Sequence, residues 1–227
     1  MQRIYRVAPD ARPHPLAIRD AATVLQAGGL ALVPTETVYG VGVSVAAYAG
    51  SQDMPDETTG YARIFSLKQR DVRQTVPWLV AGVDALDRFG VDVPPQTYRL
   101  ARAFWPGALT LIVKAAPCVP TFMQADDGTV ALRASASPVI QALIRACASP
   151  LAVTSANTHG MPAPVSFDDV EPRILAGVDA AIDAGTTPCR DASTIISTLD
   201  GTCRIIRQGA LSAGRIQSVL SSSSTLD

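Results

Sequence analysis

Histidine and cysteine are scarce: only His14 and His159, with Cys118, Cys147, Cys189 and Cys203, occur in 227 residues. They are scattered and form no C-x-x-C pair, so neither a protein-held metal nor a thiol redox centre is expected, and the cysteines read as buried free thiols. Net charge is also nearly absent, with 19 basic against 20 acidic residues. Bulk electrostatics therefore does not draw the chain to nucleic acid, and no interleaving of aromatic and basic residues suggests a stacking platform. No run approaches eighteen apolar residues, and the start, MQRIYRVAPDARPHP, lacks an apolar signal core. A membrane span and export are thus unexpected, and a cytoplasmic location follows by default. A Walker loop, a Ser–His–acid set, a cysteine with a nearby base and a carboxylate cluster are missing too. That argues against an ordinary ATPase and suits an enzyme that clamps a nucleotide with side chains.

What is present is a globular composition, 48% hydrophobic and 17% charged, in a length sufficient for one large domain with a real core. Apolar spacing predicts helices over Ile18–Ala27, Tyr61–Leu67, Val83–Phe89, Pro95–Phe104, Pro138–Ala146 and Phe167–Ala176, and a short one near the end. Strands are predicted at Leu30–Val33, Val76–Ala81, Leu109–Lys114, Val130–Arg133, Leu151–Thr154 and Val178–Ala184. Ser193–Ser197 and Arg204–Arg207 read as a hairpin turning at Asp200-Gly201, and an edge strand can begin the polar lead-in 1–15. Residues 45–60, without a period, read as a mobile surface loop, and the serine-rich end as a flexible tail over 221–227. With no repeat or linker, the expectation is one α/β domain over 1–227, its core at about 16–215, built on a twisted mixed open sheet flanked by helices.

The chain is organised around Leu30–Ser44, LALVPTETVYGVGVS. Pro34 ends a buried strand because it has no N–H for the ladder. Thr35, Glu36, Thr37 and Tyr39 follow at once, closed by Gly40 and Gly42. Hydroxyls in that place either cap the next helix or turn, or hold a polar ligand at the sheet edge; the glycines serve close approach to a ligand or a tight turn. LAVTSAN at 151–157 repeats the logic, and Ser155 and Asn157 are read as facing one ligand, with helix capping as the alternative. Lys68 and Arg70 would diverge on a helix but can grip one anion from an extended or turning segment; the alternative is two solvated charges. Arg133, at a strand end, suits a phosphate or carboxylate clamp, and Arg207 adds a further cation. Trp105-Pro106-Gly107 reads as a turn with an aromatic plug, structural in role.

These segments resemble the YrdC/Sua5-type family of threonylcarbamoyl-adenylate synthases. PTETVYGVG is similar to its signature, Lys68 and Arg70 to its K-x-R, W-P-G-A-L-T-L to its W-P-G-x-L-T-L, and S-A-N with Gly160, Pro162 and Pro164 to its S-A-N segment. Ser193-Thr194-Ile195-Ile196 resembles its S-T-V-V-D, and I-I-R-Q-G its I-L-R-x-G. The resemblance runs from about Asp20 to Gly209, without the further C-terminal domain of the longer members. Departures stand at Asp71 (a proline in the family), at Ser135 and Ser137 (proline and histidine) and at Ser197 (aspartate). The resemblance implies a ligand crevice on one face and a synthase that forms threonylcarbamoyl-AMP and pyrophosphate from L-threonine, bicarbonate or CO2, and ATP, for threonylcarbamoyladenosine in tRNA. Thr35, Tyr39, Ser155 and Ser193 would hold threonine. Lys68, Arg70, Arg133, Asn157 and Arg207 would hold ATP, Lys68 and Arg70 positioning and neutralising charge without a covalent catalyst. Mg2+ would come with the nucleotide, a tRNA-modifying threonylcarbamoyl-transfer complex would take the product, and direct tRNA binding would be weak or absent. The rivals are a divergent paralogue with another carbamoyl or nucleotide substrate, and a double-stranded RNA-binding module.

Overall fold

Residues 30–33 are apolar at every position because they divide between two cores. Leu30 and Leu32 enter one cluster of buried side chains, Ala31 and Val33 the other, the period-2 alternation of a strand covered on both faces. The computed structural model describes residues 3–7 and 14–222. Among these, the strands are β1 (Arg3–Arg6), β2 (Ala31–Pro34), β3 (Tyr39–Ser44), β4 (Trp78–Leu79), β5 (Gly90–Val91), β6 (Leu109–Ala115), β7 (Thr129–Arg133), β8 (Leu151–Ser155), β9 (Ala180–Asp183), β10 (Thr194–Ser197) and β11 (Arg204–Arg207). All belong to one mixed sheet in the order β1-β9-β2-β3-β8-β4-β7-β6-β10-β11, with β5 paired to β6. The helices are α1 (Pro15–Gln26), α2 (Gly60–Lys68), α3 (Ala85–Phe89), α4 (Pro95–Phe104), α5 (Pro138–Cys147), α6 (Pro172–Ala176) and α7 (Ala213–Ser221).

One face of the sheet carries the larger core, where Tyr61, Ile64 and Phe65 of α2, Leu100 of α4 and Ile216 of α7 meet Leu32, Val41, Leu111 and Leu132. On the other face α1 and α5 lay Ala21, Leu25, Ile140 and Leu143 against Val33, Val153 and Ile182. That cover stops short. Ile112 of β6, Ala131 of β7 and Ile195 of β10 are only half-buried, so the second face stays open beyond α5. No helix among the described residues is long and apolar enough to cross a membrane.

Most predicted elements form, and the differences have local causes. The stretch after Pro34 is a β-hairpin: β2 and β3 pair antiparallel from Ala31↔Gly42 to Pro34↔Tyr39. Gly40 and Gly42 lie within β3 rather than in the turn, and Gly40 also lines the cavity described below. A Cβ on Gly42 would stand 2.5 Å from the Ala152 carbonyl oxygen and 2.5 Å from Val153 Cγ2, so the close approach is to the neighbouring strand β8. The predicted strand at 76–81 shrinks to β4 because Pro77 cannot donate. The predicted helix over 167–176 begins only at Pro172, which suits a first helical turn; before it, the Asp169 carboxylate accepts from the Ser166 amide at 2.9 Å and hydroxyl at 2.7 Å, a competing turn. Residues 45–60 do not form a wholly exposed loop. Val45 and Tyr48 are buried, and the Tyr48 hydroxyl donates to the Gly28 carbonyl at 2.5 Å. Cys118 and Cys189 are exposed rather than buried, and burial pushes the Cys147 thiol up to about 11. The lead-in at 1–2 and 8–13 and the tail at 223–227 lie outside the described residues; α7 continues through Ser221.

A direct test of the β3–β8 fit is Gly42→Ala, expected to lower stability by about 1 to 3 kcal/mol through overpacking. Gly214→Ala, where an added Cβ meets nothing within 4 Å, should change it little or raise it by up to about 1 kcal/mol. Urea midpoints compared at equal m-value give the answer.

Candidate functional site

The turn between β2 and β3 is built by its own hydroxyls. Thr35 Oγ1 donates to the Val38 carbonyl at 2.7 Å and accepts from the amides of Thr37 and Val38, both at 3.1 Å. Thr37 Oγ1 lies 2.8 Å from it. No helix follows, so Thr35 caps the turn rather than a helix. The turn is pinned from behind, where the Thr187 hydroxyl donates to the Thr37 carbonyl at 2.8 Å and the Cys189 amide to the Glu36 carbonyl at 2.9 Å. Tyr39 opens β3 with its hydroxyl donating to the Gly185 carbonyl and accepting from the Ala184 amide; burial pushes that phenol up to about 12.

Glu36 faces inward to Arg133. The alternation of β7 puts Val130 and Leu132 in the larger core and leaves Arg133 on the open face, only 6% exposed. A terminal Arg133 nitrogen stands 2.6 Å from Glu36 Oε1, an ionic contact, since that oxygen has no aligned hydrogen bond. The same nitrogen donates to Thr37 Oγ1 at 3.0 Å, and Arg133 Nε donates to the Gly107 carbonyl at 3.1 Å. The Trp105-Pro106-Gly107 turn, with a cis Trp105–Pro106 bond, thus supplies an acceptor as well as a buried plug. Ser135 Oγ donates to Glu36 Oε2. Burial alone would raise the Glu36 carboxyl, but the close charge of Arg133 and the hydrogen bond from Ser135 outweigh it and hold it below the ordinary value.

Lys68 is the last residue of α2 and Arg70 follows Gln69, which is left-handed at φ 50° and ends the helix, so the pair straddles a helix end. Neither is a solvated charge. Lys68, 2% exposed, donates from Nζ to the Ser155 carbonyl and, at 2.7 Å, to the Asn157 carbonyl. Burial, then the charge of Arg70, pulls it down to about 8. Arg70 donates to Thr154 Oγ1 at 3.0 Å, to the Thr75 carbonyl at 2.6 Å and to Gln74 at 2.9 Å. Both cations therefore hold the end of β8 from behind. Asn157 donates its amide to the carbonyls of Thr158 and Met161 at 2.9 and 2.6 Å, which folds the loop after β8 on itself; here too no helix follows for it to cap. The Ser155 hydroxyl makes no hydrogen bond among the described residues.

These segments enclose a cavity of about 270 Å³ lined by Thr35, Tyr39, Arg133, Ser155, Asn157, Ser193 and Arg207, together with Thr37, Thr110, Thr154 and Met161. Across it Arg207 donates to the Ser193 carbonyl at 2.8 Å and to its hydroxyl at 3.2 Å, and Ser193 Oγ meets Thr110 Oγ1 at 2.8 Å. Partial burial and the nearby charge of Arg133 lower Arg207. Lys68 and Arg70 do not line the cavity, so of the four predicted cations the structure brings Arg133 and Arg207 together and sets the other two behind the wall. Larger clefts exist, such as one of about 440 Å³ beside Arg88 and Ile144, but none of the motif hydroxyls faces it. The cavity is not confined to carboxyl ends of strands. Thr35, Arg133 and Ser155 lie at or just beyond such ends while Tyr39, Thr110 and Ser193 lie at amino ends, because antiparallel pairs bring both kinds together on the open face.

Glu36 and Thr110 are site residues to which the sequence pattern assigns no role, and Thr37 one that it weighs only with the other hydroxyls after Pro34. Glu36 and Thr37 stood inside the signature and Thr110 inside W-P-G-A-L-T-L; only strand parity, which puts Thr110 on the same side as Arg133, could have singled the last out. The departures are absorbed locally. Ser137 caps α5 and donates to the Pro34 carbonyl at 3.0 Å, Asp71 pairs with exposed Arg73 at 2.7 Å, and Ser197 is buried at the end of β10. None of residues 45–60 lines the cavity.

The buried pair fixes a pH dependence. A carboxyl held below its unfolded value of about 4.3 contributes stability above that value and loses it as pH falls through the folded one. Glu36→Gln should cost about 3 to 5 kcal/mol at pH 7, because it leaves Arg133 buried without its counter-charge. The gap from the native chain should close below about pH 4, read by thermal unfolding across pH.

Comparison with known proteins gives the geometry its context. The Sua5/YciO/YrdC family profile, described as telomere recombination, matches residues 23–209. A Mycobacterium tuberculosis protein provisionally named threonylcarbamoyl-AMP synthase is 34% identical over 203 residues, covering 89% of this chain and 88% of its own. The Pyrococcus abyssi threonylcarbamoyl-AMP synthase is 30% identical, over 89% of this chain but 57% of its own length. The structure of Pyrococcus abyssi Sua5 complexed with L-threonine superposes with a TM-score of 0.85 at 29% identity, over 97% of this chain and 61% of that one. Escherichia coli YciO shares the fold, with a TM-score of 0.79 at 23% identity. By sequence and by fold, this chain belongs to the Sua5/YciO/YrdC family.

Proposed function

We propose that this chain is an L-threonylcarbamoyladenylate synthase. The observation that carries the reading is the meeting of Arg133 and Arg207 in one cavity with the uncommitted Ser155 hydroxyl. Two guanidiniums side by side repel each other, and a polyanion between them relieves that repulsion. Arg133 NH1 makes no hydrogen bond among the described residues, leaving its N–H groups for a ligand.

Threonine would sit toward Thr35, Tyr39, Ser155 and Ser193, and ATP toward Arg133, Asn157 and Arg207. Lys68 and Arg70 would act on the nucleotide from the β8 end, whose Thr154–Asn157 segment they hold. Threonine's amine adds to CO2 and gives up a proton to form a carbamate. A carbamate oxygen then attacks the α-phosphorus of ATP, and the bond to the β-phosphate oxygen breaks to release pyrophosphate. Neither step needs a covalent protein intermediate; positioning and neutralised charge suffice. Mg2+ would arrive on the ATP phosphates as part of the substrate. The product would pass, in the cytoplasm, to a tRNA-modifying threonylcarbamoyl-transfer complex, with little direct tRNA contact by this chain.

Pyrophosphate release should require ATP, threonine and bicarbonate together. Assays that omit each in turn check this; equal release without threonine, or none at high enzyme concentration, would sink the synthase reading. For duplex RNA and tRNA the expected Kd is no tighter than about 10⁻⁶ M at physiological salt, and a submicromolar value with steep salt dependence in a filter-binding titration would restore an RNA-binding role.

A further inference from the structure

We infer that Glu36, backed by Ser135, is a positioning residue for nucleotide binding that acts through Arg133. The inference rests on the proposed placement of ATP at Arg133. Its basis is the way the guanidinium is held. Nε is committed to the Gly107 carbonyl and one terminal nitrogen to Thr37 and Glu36, so the plane of the group is fixed from two sides and NH1 alone is turned loose. A long side chain with that much rotational freedom is costly to order at the moment of binding. Here it is ordered in advance.

Glu36 can do this because it is itself fixed. Its backbone is pinned by Cys189, its carboxylate takes the Ser135 hydroxyl on the oxygen away from Arg133, and Ser135 Oγ in turn accepts from the Ser137 amide at 3.2 Å. Ser135 is fully buried and leads from the end of β7 toward α5, so a rigid segment stands behind the carboxylate. Ser135 thus ties the segment after β7 to the β2–β3 turn through Glu36, and Glu36 to Arg133.

A simpler role for Glu36 predicts the opposite sign. If the carboxylate only neutralised Arg133, it would repel the phosphates and its removal would tighten ATP binding. If it positions Arg133, its removal weakens binding, and only while Arg133 is present. The test is a double-mutant cycle read by titration calorimetry with ATP. Glu36→Gln should raise the ATP Kd about tenfold in the native background and less than about twofold with Arg133→Ala. Ser135→Ala keeps the ion pair and so guards against a folding failure of the first variant. It should raise Kd about threefold, again only while Arg133 is present. Tighter binding by Glu36→Gln, or equal weakening in both backgrounds, overturns the positioning role, as does a native chain that binds no ATP. Normal coupling without threonine-dependent pyrophosphate release would instead sink the synthase reading and leave the role of Glu36 standing.

Discussion

The Glu36–Arg133 ion pair is the contact on which the cavity depends. Burying two charges costs several kcal/mol per ion unless their remaining valences are met, and here Arg133 Nε, one terminal nitrogen and Glu36 Oε2 are met by residues from distant parts of the chain. Thr37 comes from the β2–β3 turn, Gly107 from the turn before β6, and Ser135 from the segment after β7. Each partner fixes the path of its own segment. The pair thus links the β2–β3 turn to the end of β7, two strands that are not neighbours in the sheet, and holds the wall between them.

The mixed sheet decides where such a wall can stand. A doubly wound parallel sheet puts its binding crevice beyond the carboxyl ends of its strands. In this sheet β3, β8 and β4 pair antiparallel, as do β6 and β7, so strand beginnings and strand ends meet over one face. Helices α1 and α5 cover part of that face and stop, and the cavity occupies the ground just beyond them. Glycine matters here for the sheet itself, since Gly42 lets β3 lie against Val153 of β8.

The four cations divide by what holds them. Arg133 and Arg207 reach the cavity, while Lys68 and Arg70 give their hydrogen bonds to Ser155, Asn157, Thr154 and Thr75. Burial lowers Lys68, so its charge is held less firmly than that of an exposed lysine. The end of β8 is consequently braced by two cations while it also presents to the cavity the Ser155 hydroxyl, which has no hydrogen bond among the described residues.

Several features were legible in the residues themselves. Pro34 ends β2 because proline cannot donate, and α4 begins at Pro95 and α5 at Pro138 because proline suits a first helical turn. The signature, K-x-R and S-A-N segments identified the family because each is a local string, unchanged by how the chain folds. The β2–β3 hairpin escaped because Gly40 and Gly42 look like turn residues until Val153 is seen across from them. The helix predicted over 167–176 is cut short to Pro172–Ala176 because the Ser166–Asp169 turn competes with it. Which cations face the cavity was beyond the sequence altogether: Lys68, Arg70, Arg133 and Arg207 are equally basic as letters. By itself the sequence determined the end of β2, the starts of α4 and α5 and the family, since these follow from backbone chemistry and from local strings. Only the tertiary structure decided that Arg133 is seated by Glu36 and Lys68 is turned to backbone carbonyls, because both depend on partners brought close by strand pairing rather than by spacing along the chain.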